Sequence, residues 1–189
     1  MSSLSIVALL LPLLALGFLF ASLLHLAPRK PGYSHWRHTI SELGETGSVD
    51  QQRVAWGLFL PIGVVFLLEA LLLRRTVPAG SAVCACIAIG YLVAAAFPCD
   101  PGSPVSGSPR QAVHNLGGAI EYIGGSFALF ASAESFGAPA RIAGFVVLAV
   151  AAALTLLPPR APRGLVQRIG EIVLFGSVAW IAQRSSAGI

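Results

Sequence analysis

The residues able to do chemistry in this chain gather in a few places. One stretch runs Tyr33-Ser34-His35-Trp36-Arg37-His38-Thr39-Ile40-Ser41-Glu42-Leu43-Gly44, and a second runs Phe97-Pro98-Cys99-Asp100-Pro101-Gly102, with His114 a little further on. Imidazoles beside carboxylates suit proton exchange near neutral pH. His35, His38, Asp100 and His114 are also ligand types that zinc accepts. No His-Glu-x-x-His or other established metal spacing accompanies them, so hydrogen-bonding or proton-handling histidines are the simpler reading, and neither a metal site nor a cofactor is assigned. Ser41 close to histidines raises nucleophilic hydrolysis, because a serine needs an adjacent base to attack. No Gly-x-Ser-x-Gly elbow supports it.

His114, Gly118, Glu121 and Gly125 recur at a four-three-four spacing, which puts them on one face of a helix. Glu121 then sits about 10 Å deeper than His114. A carboxylate at that depth must be paired, protonated or turned towards a hydrated cavity; otherwise it is a neutral group hydrogen-bonded across helices, with small residues permitting close packing. Arg168 and Glu171 are helix neighbours three residues apart. They form either an ordinary interfacial ion pair or a site in which Arg168 neutralises Glu121 or holds an anionic headgroup. Glu69 falls near Arg74 and Arg75 and is expected to snorkel towards them. The candidate catalytic residues are therefore His114, Asp100 and Glu121, and the candidate binding residues are His35, His38, Ser41, Glu42, Arg168 and Glu171. In the expected mechanism Arg168 holds an anionic or carbonyl oxygen while His114, oriented by Asp100, exchanges a proton with the ligand.

Composition says what must position these groups. A mean hydropathy of +0.79 with 56% hydrophobic and only 11% charged residues is far from the soluble balance, in which about a quarter of residues are charged. A membrane-spanning helix needs roughly 20 apolar residues. Six runs qualify, at approximately 4–26, 54–73, 77–97, 115–133, 139–157 and 165–183. The prediction is an all-α polytopic membrane protein, an up-and-down bundle of six transmembrane helices forming a single domain over 1–189. The first run is longer than a signal-peptide core and has no Lys or Arg before it, so it reads as a retained span.

Counting spans puts the first, third and fifth loops on one side of the membrane, with both chain ends opposite. Arg29, Lys30, Arg37, Arg53, Arg110, Arg160, Arg163 and Arg168 lie with those loops, against Arg74, Arg75, Arg141 and Arg184 on the far side. By the positive-inside rule the loops face the cytoplasm. A pI near 9.4 does not indicate nucleic acid, since no basic patch is interleaved with aromatics. Cys84 and Cys86 point to different helix faces and, with Cys99, make neither a disulfide framework nor a metal pair. The two halves of the chain show no internal similarity of the kind inverted-repeat transporters have.

The two polar stretches, together with His114-Asn115-Leu116-Gly117-Gly118 and Gly164-Leu165-Val166-Gln167-Arg168-Ile169-Gly170-Glu171, resemble in order and spacing the DUF998 family of bacterial and archaeal membrane proteins. That family is distantly similar in layout to the Frag1/DRAM/Sfk1 six-span proteins. The resemblance covers nearly the whole chain and implies a six-helix membrane fold with a motif-bearing face on which Ser41, Glu42, Asp100, His114 and Arg168 fall. It implies no established activity. Two functions follow from the residues. In one, a multi-pass protein of the cell membrane binds a membrane lipid or small hydrophobic ligand in a one-sided polar site, with acid-base chemistry at hand. In the other, the same residues form a hydrogen-bonded plug in a non-catalytic assembly partner or small transporter. A metal-dependent membrane hydrolase is the further alternative.

Overall fold

A computed structural model describes residues 3–186, with side chains from Ile6 onwards. All its regular structure is helical. Six long helices, with short 3-10 turns at Ala27–Arg29 and Ser41–Gly44, account for it: α1 Ser3–Leu26, α2 Gln51–Leu73, α3 Pro78–Ala96, α4 at 109–136, α5 Ala138–Leu156 and α6 Arg163–Ser186. All but α4 are long and apolar enough to cross a membrane. The exception has a physical cause, because Glu121, Ser126, Ser132 and the glycines at 117, 118, 124 and 125 dilute its apolar run. It still packs along α3 over its whole length. It also begins six residues before the hydropathy run, where the Ser108 hydroxyl caps it by accepting from the Gln111 N–H and Pro109 takes a first-turn position that needs no donor.

The helices form a closed ring in which each packs on its sequence neighbours and α6 returns to α1. Across the middle, α3 also meets α6. An aromatic spine fills that crossing: Phe66 of α2 stacks edge-on against Phe175 of α6 at 4.5 Å, and Tyr91 of α3 lies 5.9 Å from Phe175 and 5.7 Å from Phe59. Such pairs add about 0.5–1.5 kcal/mol beyond the area they bury. Outward faces carry exposed Leu14, Leu24, Leu68, Phe127, Phe145 and Leu156. In water these would be a liability, whereas hydrocarbon is their natural solvent.

Two helices widen by a π-turn, α2 at Ala55–Phe59 and α4 at Ile120–Gly124. The first precedes Pro61, which has no N–H to continue the regular ladder. The second matters for the site, because an extra residue in the turn lets Glu121 and Tyr122 both face inward although they are adjacent. Glu69 departs from expectation. It shares the inward face of α2 with Phe66, Ala70 and Leu73, is fully buried, and neither carboxyl oxygen has a partner. It does not snorkel to Arg74 and Arg75, which stay exposed.

The loops at 27–50, 97–108 and 157–162 share one end of the ring, and tight connections at 74–77 and at Gly137 turn the chain at the other. Ser106 and Thr76 are both exposed, at opposite ends of α3. An impermeant maleimide should therefore label Ser106→Cys and Thr76→Cys from opposite sides of a sealed vesicle, and same-side labelling would mean that α3 does not cross. Ser2 and Gly188, which would place the chain ends in the same assay, lie outside the described residues.

Candidate functional site

The long first loop folds into a polar cap whose hydrogen bonds to the rest of the chain are made largely to the start of α6 and to the third loop. The first amides of α6 have no partners within their own helix; Gly164 and Leu165 donate theirs to the carbonyls of Arg37 and Trp36. A side chain at Gly164 would collide with the carbonyls of His35 and His38, so only glycine admits the loop this closely. Arg168, one turn further on, spreads its guanidinium over the same loop. Nη1 donates to the carbonyls of His38 (3.2 Å) and Gly164 (2.8 Å), and Nη2 donates to Tyr33 Oη (2.8 Å) and lies 3.0 Å from His35 Nδ1. Burial pushes the Tyr33 phenol up to about 12, and burial together with the Arg168 charge lowers the His35 imidazole.

Arg168 is therefore the cap's anchor and makes no ion pair with Glu171, contrary to the expectation from their spacing. A planar fan of donors meets several fixed acceptors at once, which suits guanidinium. His38 Nδ1 accepts from the Ser34 amide at 2.8 Å. Glu42 folds back on Thr39, accepting from its amide at 2.8 Å and its hydroxyl at 3.1 Å. His35, His38 and Glu42 thus shape the cap and line neither of the two cavities described below.

The third loop is tied to the first. Thr46 donates its amide and hydroxyl to the Cys99 carbonyl, Gly102 donates to Glu45, and Lys30 pairs with Glu45 at 2.8 Å. Cys99, whose thiol burial pushes up to about 12, donates to the Ser41 carbonyl. Asp100 was expected to orient His114, but its carboxylate accepts from the Ser108 amide (2.7 Å) and hydroxyl (2.8 Å), with Arg110 at 3.3 Å. Those Ser108 bonds first, and Arg110 after them, hold its carboxyl below the usual range. The reason is local, since Asp100 lies within reach of the α4 N-terminus and satisfies donors there.

His114 is oriented by a backbone carbonyl instead. Its Nδ1 lies 2.8 Å from Phe97 O and its Nε2 lies 3.1 Å from Ser41 Oγ. A carbonyl only accepts, so in the neutral ring Nδ1 carries the hydrogen and Nε2 presents a lone pair to the Ser41 hydroxyl. Ser41 itself opens a short turn at Ser41–Gly44 that is fixed from several sides, by Glu42 on Thr39, by Cys99 on the Ser41 carbonyl and by Gln167 Oε1, which accepts the Ile40 amide at 2.7 Å.

Ser41 and His114 lie at the polar end of a cavity of about 300 Å³ bounded by the cap, the third loop, α4, α5 and α6, a volume at the lower end of ligand pockets. Thr39, Asn115, Arg163 and Gln167 complete that end; Ala119, Tyr122, Ile123, Ala151 and Leu154 form the apolar remainder. Val105, Ile123 and Thr155 on its rim are exposed, so it opens outward, with Ile123 and Thr155 marking a gap between α4 and α5. Arg163 is buried; its Nη atoms reach the carbonyls of Gly102 and Ser103, its Nε has no partner, and it makes no ion pair among the described residues.

A second cavity of about 20 Å³ lies across Ser41 and Gln167, lined by Glu121, Glu171 and Tyr91. It has the room of a single water. Glu171 accepts from the phenols of Tyr91 (2.9 Å) and Tyr122 (2.5 Å), and Glu121 Oε1 has no partner. The expected buried face of His114, Gly118, Glu121 and Gly125 exists, but Glu121 lines this second cavity, and the π-turn lets the adjacent Tyr122 face inward as well, into the first. Ser41 is thus the predicted residue common to both. Sequence reasoning missed Arg163, Gln167, Tyr91 and Tyr122 as site residues. Of the residues whose types zinc accepts, His35 and His38 are engaged in the cap, and among the described residues no three His, Cys, Asp or Glu side chains are grouped to hold a metal ion.

Fold and site together define a multi-pass α-helical membrane protein with a polar cap over a one-sided polar crypt. The chain belongs to DUF998, a protein family of unknown function whose model matches residues 12–184. Searches of curated proteins and of solved structures returned no match.

Proposed function

We propose that this protein binds an amphiphile in the cell membrane, a lipid or small hydrophobic molecule with one polar end, in the cavity between the cap and α4, α5 and α6. The observation that carries this reading is the cavity's polarity gradient. Hydroxyl, imidazole, amide and guanidinium groups line it beside the cap and the helix ends, apolar Ala119, Ile123, Ala151 and Leu154 line it along α4 and α5, and Ile123 and Thr155 are exposed. A sealed plug would pair its polar groups with one another, whereas Arg163 Nε is buried and has no partner. His114 is the acid-base group of the site, and Arg163, in place of Arg168, is the cation that meets an anionic or carbonyl oxygen.

Gly118 lines the cavity, and a Cβ there meets nothing within 4 Å. Gly118→Leu should therefore project into the cavity without a clash at Cβ, while the change from glycine favours the helix by up to about 1 kcal/mol. Native mass spectrometry of gently extracted protein is expected to find an amphiphile retained by the wild type and absent from Gly118→Leu. Retention of none by either form would overturn the reading. Elemental analysis of the same samples, finding stoichiometric zinc that His114→Ala loses, would favour a metal-dependent hydrolase instead.

A further inference from the structure

We propose that Ser41 is a nucleophile and His114 its general base, and that the site cleaves a carboxylic ester of the long-chain amphiphile it binds. This rests on the amphiphile-binding reading and goes beyond it by naming a reaction. Three features of one small region meet the demands of acyl transfer. Nucleophile and base are within hydrogen-bond reach at 3.1 Å, and the far ring nitrogen, 2.8 Å from the Phe97 carbonyl, is held in the tautomer that leaves Nε2 able to accept a proton. Ser41 lines both the large cavity and the small one and is only half-buried, so a ligand in either cavity lies beside it. A developing oxyanion needs a hydrogen-bond donor, and Arg163, a buried cation whose Nε has no partner, is one of the residues lining the same cavity.

The chemistry balances with water as the co-reactant. Ser41 Oγ forms a bond to the ester carbonyl carbon as its proton passes to His114 Nε2. The ester C–O bond then breaks, and His114 returns that proton to the departing alkoxide, which leaves as the alcohol. Water attacks the acyl-Ser41 ester, giving its proton to His114; the Ser41 oxygen leaves and takes that proton back. One ester and one water give one carboxylic acid and one alcohol, and the apolar lining along α4 and α5 holds the acyl chain.

Hexadecyl fluorophosphonate tests the nucleophile directly, since it forms a P–O bond to an activated serine as the P–F bond breaks. Applied to the full chain in lipid nanodiscs, it is expected to add one phosphonyl group, located by peptide mass spectrometry on Ser41. Ser41→Ala should take up none. His114→Ala should be labelled about 100-fold more slowly, the usual contribution of a general base. Hexadecanoate binding, followed by native mass spectrometry, is measured on the same proteins and should survive in Ser41→Ala. Wild type that binds hexadecanoate but stays unlabelled would overturn the nucleophile and leave the binding reading intact; absence of both would overturn the two together. Label on Ser103 or another residue, or an undiminished rate in His114→Ala that still binds hexadecanoate, would also overturn the proposal.

Discussion

Replacing Arg168 by alanine is expected to loosen the entire cap and to lower the melting temperature of the detergent-solubilised protein by about 6–12 °C. The carbonyls of His38 and Gly164, with Tyr33 Oη, lose their guanidinium donor together. A buried acceptor left unmade costs about 1–3 kcal/mol, so a total near 3 kcal/mol is reasonable, and in a chain of this size each kcal/mol shifts the midpoint by about 2–4 °C. Arg168→Lys should recover little of it, because one compact ammonium cannot reach acceptors spread around a planar fork. The measurement is a thermal scan with a second readout of amphiphile occupancy. An Arg168→Ala protein that melts within about 2 °C of wild type but no longer binds would restore Arg168 to the role of anion holder.

Arg163→Ala is expected to behave in the opposite way, with a small change in melting and a large loss of ligand. Its two contacts are to exposed-loop carbonyls at Gly102 and Ser103, which water can satisfy in its absence. Its remaining N–H has no partner, and Arg163 is the one cationic residue among those lining the cavity. A charged hydrogen bond contributes about 1.5–3 kcal/mol, so hexadecanoate affinity should fall about 10- to 100-fold, with Arg163→Lys intermediate. Titration of hexadecanoate against both variants by native mass spectrometry checks this; equal affinity in wild type and Arg163→Ala would place the polar head elsewhere.

Exchange of roles between these two arginines illustrates what side-chain type can and cannot say. Both lie near the start of α6, both are buried, and both are rich in donors. Arg168 drew attention because it pairs by spacing with Glu171, but Glu171 is taken by the phenols of Tyr91 and Tyr122, which come from α3 and α4. No local spacing connects those positions. The role of Asp100 was more accessible: Ser108-Pro109-Arg110-Gln111 matches a Ser-x-x-Gln helix start, and recognising it places Asp100 within reach of the capped end and away from His114. Gln167 offered no signal, since a neutral amide on a helix is ordinary until its partner, the Ile40 amide 127 residues away, is known.

What the sequence determined by itself was whatever depends on solvent and local periodicity. Apolar runs about 20 residues long have one low-energy home, a helix in hydrocarbon, and that alone implied an all-helical membrane protein, grouped the odd loops at one end, and put His114 and Glu121 on a buried face. Tertiary structure decided which polar atom meets which. Ser41 finds His114 across 73 residues because the first loop is pinned to α6 and the third loop at once. A π-turn at Ile120–Gly124 lets Glu121 and the adjacent Tyr122 both face inward, so that Glu121 lines the small cavity while Tyr122 lines the one that holds His114. Hydrogen bonds are short and directional, so a shift of one residue, or a loop fixed by contacts far along the chain, changes every partner while leaving hydropathy and face unchanged.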